Sequence, residues 1–333
     1  MSGSAILDGD TWLGIVVIGR NEGDRLKRCL QSCLAADCRA VYVDSGSTDD
    51  SVAAARALGA HVVSLDLDRP FTAARARNAG LQALRTLLPQ VCCVQFVDGD
   101  CELTPQWLAQ AGAFLDTHPD VVAVAGRRRE RHPDATVYNR LCDIEWNTPV
   151  GETKAVGGDA MFRADALVRA GGYRDSLIAG EEPELCVRLR AAGGRVWRLD
   201  ADMTWHDAAI TRFPQWWRRT MRSGHAFAEG AALHGAPPER HFVAETRRAL
   251  LWGAALPVLL VLASAWHPAL AALFLVYPLQ WLRLGRRLAG QGGPIPWTHA
   301  AFLILGRFPE ALGALKFRLS AMSGRASGLI EYK

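Results

Sequence analysis

The sequence predicts an α/β fold in which a mostly parallel sheet is flanked by helices and is followed by a helical membrane segment. Short apolar runs alternate with segments of helical periodicity through the first hundred residues. Near the C-terminus, two long stretches carry no charged residue. Three acidic clusters lie at or just beyond an apolar run or turn, where an open α/β sheet presents its ligand crevice. These clusters are Asp44–Asp50, Asp98–Asp100 and Glu181–Glu184.

The first predicted strand is residues 12–18, a nearly continuous apolar run typical of a strand buried on both faces of a parallel sheet. Residues 24–34 follow with leucines at helical spacing, and residues 39–43 form the next apolar run. Strand, helix and strand therefore repeat, and a right-handed parallel arrangement is the simplest topology. The pattern continues through a helix at 51–58, a strand at 61–65, a helix at 72–88 and a strand at 91–97.

Composition excludes some classes of protein. The 333 residues are half hydrophobic, enough for one large α/β domain and an appended segment. The formal net charge is only +4, so the chain lacks the overall charge expected of a nucleic-acid-binding protein. The eight cysteines form no C-x-x-C pair, and residues 1–10 lack the features of a signal peptide. We therefore expect the soluble part to face a reducing cytoplasm.

Five short motifs occur in a fixed order along the chain. They are Ile18–Glu22, Val43–Asp49, Ala76–Gly80, Phe96–Asp100 and Gly180–Leu185. Together they resemble the family 2 glycosyltransferases of the Rossmann-like GT-A fold, over about residues 11–208. The resemblance implies a nucleotide-sugar donor, a divalent metal ion and inversion at the anomeric carbon.

The first two motifs predict a nucleoside pocket. Asp44 ends the second strand, where its carboxylate can accept a hydrogen bond from a base imide or a ribose hydroxyl, with Ser47 beside it. By the resemblance, Arg20, Asn21 and Glu22 help to frame the nucleotide sugar. The structural alternatives are an Asx turn that caps the next helix, and an exposed Glu22 in a helix's first turn.

The third motif places Arg77 and Asn78 on a predicted helix. In similar proteins this segment lies beside the base and the phosphates. A guanidinium can hold a diphosphate through two parallel hydrogen bonds. The alternative is an arginine-rich helix face that is simply solvated.

The fourth motif predicts a metal site. Asp98 and Asp100 match the D-x-D position of the family, and their hard carboxylates, separated by Gly99, suit Mg²⁺ or Mn²⁺ completed by diphosphate oxygens. The resemblance also places Asp98 and Gly99 against the donor. His206 lies where some GT-A enzymes bring a late metal ligand, and a structural histidine is the alternative.

The fifth motif supplies the predicted catalytic base. Inverting transfer needs a base opposite the leaving group, and Glu182 occupies the second position of the family's acidic pair, where Asp is usual. A Glu reaches one methylene farther, so Glu181 is a second catalytic candidate. Gly158 and Asp159 belong to a segment that resembles the flexible region beneath the acceptor sugar. An ordinary glycine-rich turn is the alternative.

The C-terminal part predicts attachment to a membrane. Residues 249–266 and 268–282 carry no charge and are flanked on the outside by arginines, which predicts a hairpin with both ends in the cytoplasm. The alternative is a very apolar buried helical subdomain. Residues 297–305 are too short to span alone, which favours a re-entrant or interfacial helix, and the basic tail 315–333 is expected to lie on anionic headgroups.

Before the hairpin, Trp217 and Arg218 open a predicted interfacial amphipathic helix and are candidates for acceptor binding. Arginines of this segment are also placed like those of a Q-x-x-R-W motif that touches donor phosphate, although no Trp follows Arg219. The predicted parts are thus a catalytic domain at 1–208, interfacial helices and a linker at 209–245, and a membrane part at 246–333.

These features predict an inverting, metal-assisted glycosyltransferase at the cytoplasmic face of the membrane. It would move a sugar from a UDP-, GDP- or dTDP-linked donor to a lipid-linked or polysaccharide acceptor. Two alternatives stay open at this point. One is a processive polysaccharide synthase, disfavoured because two short spans offer little material for a channel. The other is a non-catalytic nucleotide-sugar-binding subunit of an envelope polysaccharide assembly complex.

Overall fold

The structure, a computed structural model, describes residues 12–35, 38–323 and Ile330. Residues 1–10, which carry the signal-peptide argument, and the tail residues Arg325 and Lys333 lie outside the described residues. The chain divides into two compact units, Met1–Thr211 and Arg212–Lys333. The segment predicted as interfacial helices and a linker, 209–245, therefore belongs to the second unit from Arg212 onward.

The first unit begins with alternating strands and helices. Strand β1 is buried along almost its whole length because Leu13, Ile15, Val16 and Val17 present apolar side chains to both faces of the sheet. The predicted elements agree with the structure to within two residues at each end. They are β1 (Leu13–Gly19), α1 (Asp24–Leu34), β2 (Arg39–Asp44), α2 (Ser51–Ala57), β3 (His61–Ser64), α3 (Ala73–Leu87) and β4 (Cys93–Asp98).

The rest of the first unit extends this sheet with shorter and antiparallel elements. Sequence periodicity does not separate them clearly, since several strands have only two to four residues. They are β5 (Cys101–Leu103), α4 (Trp107–Thr117), β6 (Val121–Glu130), α5 (Val137–Glu145), β7 (Gly151–Glu152), β8 (Ala160–Arg163), α6 (Ala164–Arg169), α7 (Glu181–Ala191) and β9 (Arg195–His206).

Within the described residues the strands form one mixed sheet in the order β3-β2-β1-β4-β8-β6-β9-β5, with β7 paired to β9. The strands β3, β2, β1 and β4 are parallel, so their carboxyl ends meet at one edge. Strand β8 runs antiparallel to both β4 and β6, while β6 and β9 are parallel to each other. This register brings the end of β4 close to the ends of β6 and β9.

The second unit is helical. Its elements are α8 (Phe213–His234), α9 (Val243–Leu250), a π-helical turn (Leu251–Ala255), α10 (Leu256–Trp266), a 3₁₀-helix (Pro268–Leu275), α11 (Val276–Gly290), α12 (Pro296–Leu305) and α13 (Arg307–Met322). The π-helical turn stands just before Pro257, whose missing N–H interrupts regular helical hydrogen bonding.

Among the described residues, one helix is long and apolar enough to cross a membrane, Val243–Trp266. Only 11% of its most apolar 18-residue window is buried, which contradicts the alternative of a buried apolar subdomain for this helix. The second predicted span, 268–282, is instead the 3₁₀-helix and the first part of α11. Both segments expose large apolar side chains, at positions Val258, Leu259, Val261, Leu262, Trp266, Leu273, Leu275 and Leu279.

Candidate active site

The centre of the candidate site is the buried guanidinium of Arg77 on α3, which is 2% exposed. Its Nη2 donates to Asp98 Oδ1 at 2.8 Å, and its Nη1 lies 2.9 Å from Glu181 Oε1 and 2.7 Å from Glu182 Oε1. Burial alone would lower the pKa of Arg77, but the charges of Glu182, Asp98 and Glu181 raise it above its usual range. The Arg77 guanidinium thus joins the D-x-D motif to the acidic pair. The alternative of a solvated helix face is wrong for this arginine.

The acidic pair opens helix α7. Gly180 precedes it in the left-handed region, with φ of 78°, and this turn places Glu181 and Glu182 in the first helical turn. Burial raises the pKa of Glu182 to about 7, against the opposing charge of Arg77 and with a further contribution from Glu181. A carboxyl with this pKa exchanges a proton readily near neutral pH, as a general base must.

A second arginine, the partly buried Arg128, holds Asp98 from the other side. Its Nη2 lies 3.2 Å from Asp98 Oδ2 and 2.9 Å from Asp159 Oδ2. Asp159, whose side chain is fully buried, also accepts hydrogen bonds from the Asp98 backbone N–H at 2.9 Å and from Thr204 Oγ1 at 2.8 Å. Sequence reasoning did not find Arg128. The usable signal was the arginine run 127–129, which follows the apolar run 121–125 after one glycine.

The second aspartate of the D-x-D motif lies beside His206. Their closest atoms, Asp100 Oδ2 and His206 Nε2, are 3.4 Å apart, and both side chains are almost fully buried. The Cys101 thiol is near enough to join them as a third candidate ligand. Burial raises the pKa of that thiol well above its usual range, and a soft sulfur ligand suits Mg²⁺ or Mn²⁺ less well than carboxylate oxygens do. Asp98, Cys101 and Asp159 form a second group of side chains close enough to share a metal ion.

These residues fit a divalent cation. An oxygen and an imidazole nitrogen 3.4 Å apart can be neighbouring ligands of one ion with bonds near 2.1 Å, and such hard donors suit Mg²⁺ or Mn²⁺. Burial lowers the pKa of His206, which favours the neutral imidazole that a metal requires. Trp146 packs edge-on against the His206 ring, with centroids 4.6 Å apart, and limits its movement.

The predicted nucleoside pocket contains the Asx turn that was its alternative. Asp44 Oδ2 accepts hydrogen bonds from the backbone N–H groups of Gly46 and Ser47, both at 3.0 Å, and Asp44 Oδ1 accepts one from Tyr42 at 3.0 Å. The Asx-turn side chains do not cap α2, because its N-cap Asp50 makes no capping bond and Asp49 accepts from the Ser51 N–H instead. The turn fixes the Asp44 carboxylate at the carboxyl edge of the sheet.

The first loop is tied to this turn. The Asn21 N–H donates to Ser47 Oγ at 2.9 Å, and Asn21 Oδ1 accepts from the Thr48 N–H at 2.7 Å. Glu22 pairs with Arg25 at 2.8 Å and lies against Gly99. The loops after β1, β2 and β4 therefore meet at the same edge of the sheet, as the motif order predicts.

Comparisons with known proteins agree with this arrangement. A sequence model described as glycosyl transferase family 2 matches residues 14–161, which contain β1 to β4 and the D-x-D motif. Over these residues the chain resembles the family 2 glycosyltransferases. Its fold resembles that of a mannosyltransferase from Pyrobaculum calidifontis, solved in complex with GDP-Man and Mn²⁺, with a TM-score of 0.62. That likeness, at 23% identity, covers 91% of this chain and 87% of the other, and it supports the GT-A fold.

A curated relative of this chain is the pre-mycofactocin glycosyltransferase of Mycobacterium tuberculosis. The two are 28% identical over 239 residues, which cover 66% of this chain and 47% of the relative. The chain therefore spans about half the length of this curated relative.

Other residues predicted for the site lie outside the Arg77 cluster. Asn78 Nδ2 donates to the carbonyl of Tyr173 at 2.7 Å and to Asp175, so its side chain holds the loop before α7. Arg20 is exposed and stacks over the Phe71 ring at 4.6 Å. Trp217 and Arg218 lie on α8 in the second unit, and their role in acceptor binding stays a prediction.

A pair of adjacent glycines tests how closely the Arg77 cluster is packed. A Cβ at Gly158 would lie 2.7 Å from both Arg77 Nη2 and Asp98 Oδ2, whereas a Cβ at Gly157 would meet nothing within 4 Å among the described residues. We expect Gly158→Ala to cost roughly 1–3 kcal/mol of stability and to weaken nucleotide-sugar binding. Gly157→Ala is the matched control and is expected to be nearly neutral. Thermal unfolding checks both, and equal effects would contradict the packing argument.

Proposed function

We propose that the protein is an inverting glycosyltransferase that moves a sugar from a nucleotide-sugar donor to a lipid-linked or polysaccharide acceptor at the cytoplasmic face of the membrane. The observation that carries this proposal is the guanidinium of Arg77, which contacts Asp98 on one side and Glu181 and Glu182 on the other. A donor held at Asp98 and a base at Glu182 are therefore within reach of one reacting centre.

In the proposed reaction, Glu182 accepts the proton of the acceptor hydroxyl while that oxygen attacks the anomeric carbon. Attack from the face opposite the leaving nucleotide inverts the anomeric configuration in one displacement. The first turn of α7 holds this carboxylate, and Arg77 sets its direction through the 2.7 Å contact. Glu181, on the same Nη1 atom, supports the same orientation.

Asp100 and His206 would hold a divalent cation, with Asp98 beside them. When bound, such an ion would neutralise the charge that develops on the leaving nucleoside diphosphate. Asp98 is itself fixed by Arg77 and Arg128, so both guanidinium groups also add positive charge near the diphosphate. The Mn²⁺ in the structure of the Pyrobaculum mannosyltransferase supports an ion of this kind here.

Donor recognition is proposed for the loops after β1 and β2. The Asp44 carboxylate, kept in place by the turn at Gly46 and Ser47, would accept a hydrogen bond from the base or the ribose. Asn21, Glu22 and Arg20 would complete the frame. GDP-mannose is the first donor to test, because the similar Pyrobaculum structure contains it.

We propose that the second unit anchors the protein to the membrane as a hairpin. The limbs 249–266 and 268–282 are each about 25 Å long, close to the hydrocarbon thickness of about 30 Å. Arginines flank both outer ends, at 247–248 and at 283–287. From Arg212 to Lys333 there are fifteen Lys and Arg against five Asp and Glu, and this excess suits anionic headgroups.

Release of nucleotide tests the proposed activity. The full chain, purified in detergent, is incubated with GDP-mannose, UDP-glucose or dTDP-glucose and with Mn²⁺ or Mg²⁺. We expect release of a nucleoside diphosphate from one donor, and loss of that release when EDTA is added. If the protein binds a nucleotide sugar but releases no nucleoside diphosphate from any donor, the proposed enzyme activity is wrong. That result would favour the non-catalytic nucleotide-sugar-binding subunit.

Substitution in the hairpin tests the membrane proposal. Leu259 on α10 is 61% exposed, and Leu67 in the first unit is 60% exposed. In water, either exposed position tolerates a Lys. Within a bilayer, Leu259→Lys costs roughly 3 kcal/mol of insertion free energy. We expect this variant to be depleted from carbonate-washed membranes, whereas the matched control Leu67→Lys stays with them. Equal membrane fractions for the two variants would contradict the hairpin.

A further inference from the structure

One buried carboxylate beside the metal ligands has no role in the mechanism above. Glu130 is the last residue of β6 and is 1% exposed. In the parallel register of β6 and β9 it is paired with His206, the last residue of β9. The two side chains therefore meet at the same edge of the sheet as the D-x-D motif.

Three hydrogen bonds hold the Glu130 side chain. Its Oε1 accepts from the His132 N–H at 3.1 Å and from Asn139 Nδ2 at 3.2 Å, while its Oε2 accepts from the Ala208 N–H at 3.1 Å. A carboxylate oxygen has two acceptor positions, so Oε2 can take a second donor. That oxygen lies 3.7 Å from His206 Nδ1.

The opposing nitrogen of His206 lacks a partner. Its Nδ1 is buried and has no hydrogen-bond partner among the described residues, whereas its Nε2 faces Asp100 at 3.4 Å. A buried polar nitrogen without a partner is costly, and a shift of less than about 1 Å would bring Nδ1 into hydrogen-bonding range of Glu130. An imidazole that offers the Nε2 lone pair to a cation must carry its proton on Nδ1.

We infer that Glu130 is a positioning residue that accepts the Nδ1–H hydrogen bond of His206 and so directs the Nε2 lone pair toward a divalent cation shared with Asp100. This inference rests on the metal site of the proposed function. The Trp146 ring on another side of the imidazole restricts rotation, so the Glu130 contact selects one ring orientation as well as one tautomer.

The test uses the full chain in detergent and two readouts that need no turnover. The first is the ¹⁵N NMR signature of His206, assigned with the His206→Ala variant, in metal-free protein. The second is the affinity for Mn²⁺ alone, measured by electron paramagnetic resonance of the free ion. For Glu130→Gln we expect a mixture of tautomers and a Mn²⁺ affinity that falls roughly 10–100-fold.

Glu102→Gln is the matched control, because it also removes one carboxylate, from β5, the strand next to β9. The Glu102 side chain pairs with Arg131 and not with His206. We expect it to keep both the His206 tautomer and the Mn²⁺ affinity. If His206→Ala loses Mn²⁺ while Glu130→Gln keeps both its affinity and its tautomer, the role of Glu130 is wrong and the metal site stands. If His206→Ala binds Mn²⁺ as tightly as the unmodified chain, the metal site of the proposed function fails, and the Glu130 inference fails with it.

Discussion

Replacing Glu182 by Gln is expected to lower the rate of sugar transfer by roughly 10²–10⁴-fold while nucleotide-sugar binding is kept. The amide has nearly the same shape and can still accept a hydrogen bond from Arg77, but it cannot take the proton of an acceptor hydroxyl. Turnover and donor affinity, measured on the same preparation, separate the two effects. Glu181→Gln is the control, because Glu181 shares the same guanidinium contact. A larger loss in that variant would move the base to Glu181.

The rate of the unmodified enzyme should rise as the pH increases through about 7, the raised pKa of Glu182. The sign follows from burial, which stabilises the protonated carboxyl, so the base is ionised only above that pH. The same shift makes the ionised carboxylate unfavourable for folding at high pH, so Glu182→Gln should unfold at a higher temperature than the unmodified chain above pH 7. A rate profile that is flat between pH 6 and 8 would contradict the assignment.

Replacing Arg77 by Met is expected to have the largest effect on stability, roughly 3–5 kcal/mol. The change leaves Asp98, Glu181 and Glu182 near one another in a buried site without their shared cation. For a domain of this size, that corresponds to a fall in apparent Tm of roughly 10 °C. The loss should be smaller at pH 5 than at pH 8, because protonated carboxyls no longer repel one another.

Arg75→Met is the matched control for this prediction. Arg75 lies two residues earlier on α3 and is also buried, but its guanidinium donates to the backbone carbonyls of Asp66, Arg69 and Pro70. We expect this variant to be destabilised by roughly the same amount at pH 5 and pH 8, since no ion pair joins Arg75 to a carboxylate within the described part of the chain. A similar pH dependence in both variants would show that repulsion within the acidic cluster is not the cause.

Much of the first unit could be predicted from local sequence. The strands β1, β2 and β4 are apolar runs long enough to be buried on both faces, and the helices between them have clear periodicity. The second half of this unit was harder to predict, because β5, β7 and β8 have four residues or fewer. Their hydrogen bonds depend on pairing, of β5 and β7 with β9 and of β8 with β4 and β6. Local propensity says little about such short strands.

Only the part of the candidate site that stands in local motifs could be predicted. Asp98, Asp100, Glu181 and Glu182 stand in motifs that local sequence identifies. Arg128 and Glu130 do not, since they lie at the end of β6, whose place in the sheet depends on its register with β8 and β9. Asn78 belongs to a motif, yet its amide holds the loop at Tyr173 and Asp175.

The sequence by itself indicated the resemblance to family 2 glycosyltransferases, the order of the parallel strands' motifs and the apolar C-terminal segments, because each depends on neighbours a few residues apart. Tertiary structure alone decided that Arg77 joins Asp98 to Glu182, and that Glu130 faces His206. Glu130 and His206 meet because β6 and β9, which are far apart along the chain, pair in register, and a shift of one residue would turn each side chain to the opposite face. Arg77 lies on α3 and Glu182 on α7, so their contact depends on the positions of two helices that are far apart in the sequence.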